Sequence, residues 1–281
     1  MRIILSLVLI FLSASSALAE MPEFIRLKKD EAQQAVSLDT AVVNYIGPNG
    51  ESLDLVGAVH IGEESYFEQL NKLFGQYDAV LYELIAPKGE KPRKAAPSED
   101  VSIISSMQVG MTEILNLAFQ LEEIDYNKSN FVHADATPDE FFQSMKDRNE
   151  TFFSIMMRLF SASLVQQSTA EDRKAMEAQI FVAMFTKDPI KRAKMLKKMM
   201  AAQFKDGDLV IEALNGKQGS TIISGRNDIA LKVLREELAK GKKNLAIYYG
   251  AGHMPDFHRK LLADFGFKAG KSSWIEAWNL R

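Results

Sequence analysis

The stretch "DLVGAVHIGEESYFEQLNKLFGQYDAVLYEL", from Asp54 to Leu84, constrains this chain most. An apolar run is followed by a segment that puts Tyr66, Phe67, Leu70, Leu73 and Phe74 on one helical face. The short buried-type run "DAVLYEL" comes next. Strand, helix, strand at this spacing is a βαβ unit, which requires parallel pairing with helices packed on the sheet.

The pattern returns near the other end. "STIISGRNDIALKVLREELAKGKK" reads as a short strand and a helix from about Arg226 to Ala239, ended by Gly241. "NLAIYYGAGH" reads as a strand, "PDFHRKLLADFG" as a helix stopped by Gly266, and "KSSWIEAWNLR" as a final strand. Between the two halves, "NFVHADATPDEF" predicts one strand leading to a helix, with Thr137 as N-cap, Pro138 at N1 and Glu140 completing a capping box. Residues 87–97 are rich in Lys, Pro and Ala and read as a loop. The stretch 151–204 is rich in Met, Phe, Lys and Arg and carries no strand signal. The expected fold is α/β: a mostly parallel sheet with flanking helices and a large helical insertion at about residues 100–215, covering one side of the sheet. "TAVVNYIGPNGESLDLVGAVHI" adds two strands joined by the turn Gly47–Gly50.

The N-terminus has a different character. "MRIILSLVLIFLSASSALAE" has one early cation, a short apolar core and small residues ending Ala17-Leu18-Ala19. That is the pattern of a secretory signal peptide, residues 1–19, cleaved after Ala19 to leave one domain at 20–281 in the periplasm or outside the cell. The apolar core is short for a membrane span, and no other stretch is apolar enough to cross a bilayer, so no stable span is expected after cleavage. The chain contains no cysteine, which removes thiolate from the available nucleophiles and metal ligands and leaves stability to core burial. A formal net charge of -3 argues against a nucleic-acid partner.

The chain has four histidines, and two of them occupy the same local frame: Gly57-Ala-Val-His60 and Gly250-Ala-Gly-His253. Each motif ends an apolar strand, and in open α/β sheets ligands bind at that C-terminal edge. A glycine there lets the chain turn off the strand and lets a ligand approach the backbone. His60 and His253 each offer a neutral imidazole to a divalent metal; the plain alternative is a residue at a helix start bonded to backbone. Glu83 ends "AVLYEL", where a carboxylate is costly unless it is paired or coordinates a metal. Two imidazoles and a carboxylate form a common set for a hydrolytic or oxidative metal centre.

Arg226 falls in the first turn of a helix, where the macrodipole disfavours a cation. A guanidinium kept there suits a substrate carboxylate or an oxyanion, with helix capping by Ser224 or Asn227 as the plainer account of its neighbours. His133 and Asp135 end the strand "FVHAD" and are further candidates for a direct or supporting role. His258 reads as a surface residue on its helix. No Gly-x-Ser-x-Gly elbow, His-Glu-x-x-His helix, phosphate-binding loop or dinucleotide fingerprint is present, so the enzyme classes that rely on those motifs lack their carriers.

Gly57 and His60 in "GAVH", Glu83 in "YEL", Arg226 in "GRN", and Gly250 and His253 in "GAGH" together resemble the TraB/GumN family. That family is related to the Tiki metalloproteases and, more distantly, to erythromycin-esterase-like and haem-binding ChaN-like proteins. The resemblance spans about Thr40 to the C-terminus, with little of it in the helical middle. It implies an α/β fold in which the two histidines and the glutamate meet at one site. For the Tiki branch it implies metal-dependent peptide cleavage.

The leading expectation is an exported hydrolase, peptidase-like, that uses a divalent metal ion on a peptide or small-molecule substrate. His60, Glu83 and His253 would be the ligands, and Glu83 and Arg226 the catalytic groups. The alternative is a non-catalytic periplasmic protein that binds peptides, or one that carries haem or metal.

Overall fold

The computed structural model describes residues 21–91, 114–151, 154, 157, 170–203, 215 and 219–281. The signal peptide read at 1–19 lies outside the described residues, as do residues 92–97 of the predicted loop and much of the predicted insertion.

The strands are β1 (Ile25–Lys29), β2 (Ala35–Ile46), β3 (Ser52–Ala58), β4 (Ile61–Gly62), β5 (Ala79–Tyr82), β6 (Ala118–Phe119), β7 (Phe131–His133), β8 (Asn244–Gly250) and β9 (Lys268–Asn279). The helices are α1 (Glu64–Phe74), α2 (Gln120–Glu123), α3 (Pro138–Asp147), α4 (Ala170–Phe185), α5 (Pro189–Gln203), α6 (Arg226–Ala239) and α7 (Met254–Phe265). Seven strands form one sheet in the order β1-β2-β3-β8-β5-β7, with β9 on β2. β1 and β3 share one edge of β2 in succession and β9 takes the other. β2 is antiparallel to β1, β3 and β9, while β3, β8, β5 and β7 are mutually parallel, so β2 alone runs against the rest.

Strand alternation builds two cores from one sheet. Val42, Val56, Val80 and Tyr248 face the side covered by Tyr66, Phe67, Leu70 and Phe74 of α1. Val43, Leu55, Leu81 and Tyr249 face the side covered by Leu231 and Leu234 of α6 and by Phe257 and Leu261 of α7. Met200 and Ala201 of α5 pack with the α1 side. The product is an α/β fold with helices on both faces of a mostly parallel sheet.

Local chemistry explains the boundaries. Thr137 accepts from the Glu140 N–H, and the Glu140 side chain accepts from the Thr137 N–H, closing the predicted capping box. Gly266 ends α7 at φ 68°, a left-handed conformation that suits glycine.

Three expectations need correction. "STIISG" is not a strand: Thr221–Gly225 forms a π-helical turn running into α6. Ser220 Oγ accepts from Ile223 N, and Ser224 Oγ donates to Ser220 O, so these hydroxyls satisfy backbone groups locally and compete with sheet pairing. The predicted insertion also includes the two-residue β6, which pairs with β4 and is too short to leave a periodic signal. His258 is not a surface residue. It is buried, with Nδ1 2.8 Å from the Tyr45 hydroxyl, because α7 turns that face onto β2.

Candidate metal centre

The parallel register brings four strand ends into line. Ala58 pairs with Gly250, Tyr82 with Tyr248, and His133 with Tyr82. The residues just past those ends are His60, His253, Glu83 and Asp135, in the order of strands β3, β8, β5 and β7. The four occupy the C-terminal edge of the parallel half of the sheet, where helices and loops leave space for ligands.

The motif glycines have different jobs. Gly57 lies inside β3 and Gly250 at the end of β8, and neither has a positive φ, so the sharp turn expected of them is not their role. Gly250 matters for the space it leaves. A Cβ built there would stand 3.4 Å from Glu83 Oε2, 3.9 Å from His60 Nε2 and 3.9 Å from His253 Cδ2. The two imidazoles and the carboxylate therefore surround one point.

Glu83 is held from several directions. Its Oε2 accepts from the Gly250 N–H at 2.7 Å. Its Oε1 lies 2.8 Å from Arg226 Nη2 and 3.6 Å from His253 Nε2. Burial raises the Glu83 pKa, but His253 in its protonated form, Arg226, His60 in its protonated form and the Gly250 N–H outweigh it, leaving the pKa lowered to about 2. Burial depresses the His253 imidazole to about 4, so the ring is neutral at pH 7.

His253 packs edge-on against Tyr249 and places Nδ1 2.6 Å from Asn227 Oδ1. His60 is more exposed, and its Nδ1 lies 3.0 Å from Gln120 Oε1. Each imidazole thus leans on a carboxamide through Nδ1 rather than on backbone, and the contacts of each Nε2 lie on the Gly250 side. The loop bearing His60 is tied down on several sides: Gln120 N donates to His60 O, Trp278 Nε1 to Ile61 O, and Glu63 N to Ala277 O. Lys197 of α5 adds an ion pair to Glu63 at 2.8 Å.

Arg226 is buried, and Asp135 grips it through both Nε and Nη2. Burial alone would lower its pKa, yet Asp135 and Glu83 hold it above the ordinary arginine range. Two of its three guanidinium nitrogens face these carboxylates. The expected substrate-facing role therefore narrows to Nη1, and the visible role is to fix Glu83. His133 points elsewhere, with Nε2 2.6 Å from Leu84 O, and supports the chain just past Glu83. Ser220, not Ser224 or Asn227, caps the helical turn before α6. Gln120 and Asn227 are the partners of the imidazoles that sequence reasoning missed. Asn227 sat in plain view beside Arg226, but Gln120 carries no motif.

The donor chemistry fits a divalent ion: two imidazoles and an ionised carboxylate around a gap that a Cβ would fill. Among the described residues, no three His, Asp or Glu side chains stand at closed coordination spacing. An ion would have to draw them inward. A cleft of about 680 Å³ lined by Leu121, Ile124 and Tyr126 shares the Gln120–Tyr126 hydrogen bond with this site but does not contain its ligands.

Fold and site together define an α/β protein with a two-histidine, one-carboxylate cluster at the C-terminal edge of its sheet. Compared with known families and curated proteins, the sequence matches no family model and no curated relative.

Proposed function

We propose that this protein is an exported, metal-dependent hydrolase that acts on peptide-like substrates, of the kind its resemblance to the TraB/GumN family implies. One observation carries the reading: His60, Glu83 and His253 surround the open point above Gly250. His60, His253 and Glu83 would hold the ion. A divalent metal supplies Lewis acidity there, lowering the pKa of water and polarising a carbonyl.

The chain's own groups do the rest. Where it is not a ligand to the ion, Glu83 would serve instead as the general base that takes a proton from water. Arg226 and the Gly250 N–H hold the carboxylate in position, so it spends little ordering free energy during reaction. His253, neutral and buried, keeps a nitrogen lone pair available.

A second reading has its own support. Both Glu83 oxygens already accept hydrogen bonds, an arrangement that suits a pocket which binds peptides without cleaving them. Elemental analysis of the purified protein, with peptide-library turnover by wild type, His60→Ala and His253→Ala, separates the two. The hydrolase reading expects metal and turnover to fall together in both variants. Saturable peptide binding without turnover supports the second reading, and a Soret band supports a haem carrier. Full metal and turnover in both histidine variants would overturn the centre altogether. Export is tested separately by sequencing the N-terminus of the exported protein, which is expected to begin at Glu20.

A further inference from the structure

We propose that Asn227 is a positioning residue that, with Asp256, decides which nitrogen of His253 carries the proton. Asn227 is the second residue of α6 and is completely buried. Its Nδ2 lies 3.1 Å from the His253 carbonyl oxygen and 2.9 Å from Asp256 Oδ2. The first partner can only accept. The second is a carboxylate oxygen that is also paired with Lys260 Nζ at 2.9 Å. Turning the carboxamide over would set its oxygen against two acceptors, so the amide has one orientation open to it.

The consequence reaches the ring. With Nδ2 committed, Oδ1 faces His253 Nδ1 at 2.6 Å, and an amide oxygen only accepts. Nδ1 must therefore carry the hydrogen, and in the neutral ring Nε2 keeps the lone pair. That nitrogen lies 3.6 Å from Glu83 Oε1, so two electron-pair donors stand close together. Asp256 lies one turn beyond His253 on α7, so the line Asp256–Asn227–His253 ties the start of α6 to the start of α7 and orients the imidazole from behind. Gln120 stands in the same relation to His60, but its amide nitrogen meets the Tyr126 hydroxyl, which either donates or accepts, so that orientation is less determined.

The metal-affinity consequence rests on reading His253 as a ligand; the tautomer does not. Long-range proton–nitrogen NMR on chelator-treated protein labelled at histidine, with His253 assigned through His253→Ala, reads the tautomer at neutral pH. Wild type is expected to show His253 as a single Nδ1–H form, and Asn227→Leu a mixed or Nε2–H form. Zinc affinity, measured by chelator competition, should fall about 10–100-fold in Asn227→Leu, the usual effect of losing a partner behind a metal-ligating histidine. An Nε2–H form in wild type, or an unchanged tautomer in Asn227→Leu, would overturn the proposal. The wild-type spectrum decides the point even if the variant fails to fold. An Nδ1–H form that shifts in the variant, with no zinc bound by wild type, would uphold Asn227 as the orienting residue and sink the metal reading instead.

Discussion

Arg226 and Glu83 meet in a 2.8 Å ion pair, and the same guanidinium nitrogen is also bound to Asp135. One buried cation thus serves two carboxylates that end neighbouring strands, β5 and β7. The arrangement explains why a cation is tolerated at the start of α6.

The first prediction follows from that sharing. Arg226→Met leaves Asp135 and Glu83 buried without their cation, a loss of about 3–5 kcal/mol. Removing Asp135 as well, in Arg226→Met/Asp135→Leu, takes away one stranded charge. Urea denaturation of the two singles and the double should show a double-variant loss well short of the sum of the singles. Simple additivity would mean the pair is not coupled.

Acid titration tests Glu83. Its folded pKa of about 2 lies below the unfolded 4.5, so its contribution is fully present above pH 4.5 and is lost as pH falls toward 2. On the order of 3 kcal/mol is at stake. In chelator-treated protein, wild type should exceed Glu83→Gln in stability at pH 7 and lose that advantage between pH 4.5 and 2. A gap that stays constant with pH would show that Glu83 is not held ionised.

Gly250→Ala separates space from fold. The backbone there, φ -49° and ψ 139°, accepts alanine, and the new Cβ meets its neighbours at ordinary contact distances. Stability is expected to change by less than about 1 kcal/mol. Zinc binding and turnover should nevertheless fall, because the methyl group fills the gap between His60, Glu83 and His253. Calorimetric zinc titration beside thermal unfolding checks both halves, and undiminished binding would place the ion elsewhere.

The two histidines should differ in stability even if they share a function. His253→Ala strands the buried Asn227 Oδ1 and removes a ring packed on Tyr249, a loss of about 1–3 kcal/mol. His60→Ala acts at an exposed position and should shift stability by less than about 1 kcal/mol. Equal losses in chemical denaturation would contradict the burial difference.

Much of this architecture was legible in the residues. Apolar periodicity located α1, α6 and α7 and the strands β3, β5, β8 and β9, because burial of one face depends on spacing alone. The capping box at Thr137 and the stop at Gly266 were readable because they are made by residues a few positions apart. The candidates His60, Glu83, Asp135, Arg226 and His253 could be named from the sequence, since each lies at a strand end or a helix start.

The strand-end positions and the family resemblance led to the expectation that His60, Glu83 and His253 meet; what the sequence could not determine was which other groups touch them. Insertion of β8 between β3 and β5 puts Gly250 among His60, Glu83 and His253, and no local pattern encodes that strand order. Tertiary packing also assigned Arg226 to Asp135 and Glu83, and brought Gln120 and Asn227 behind the imidazoles. The physical reason is range. Helix faces, turns and caps are set by neighbours along the chain, whereas hydrogen bonds and ion pairs between distant segments exist only once the sheet has aligned its strand ends.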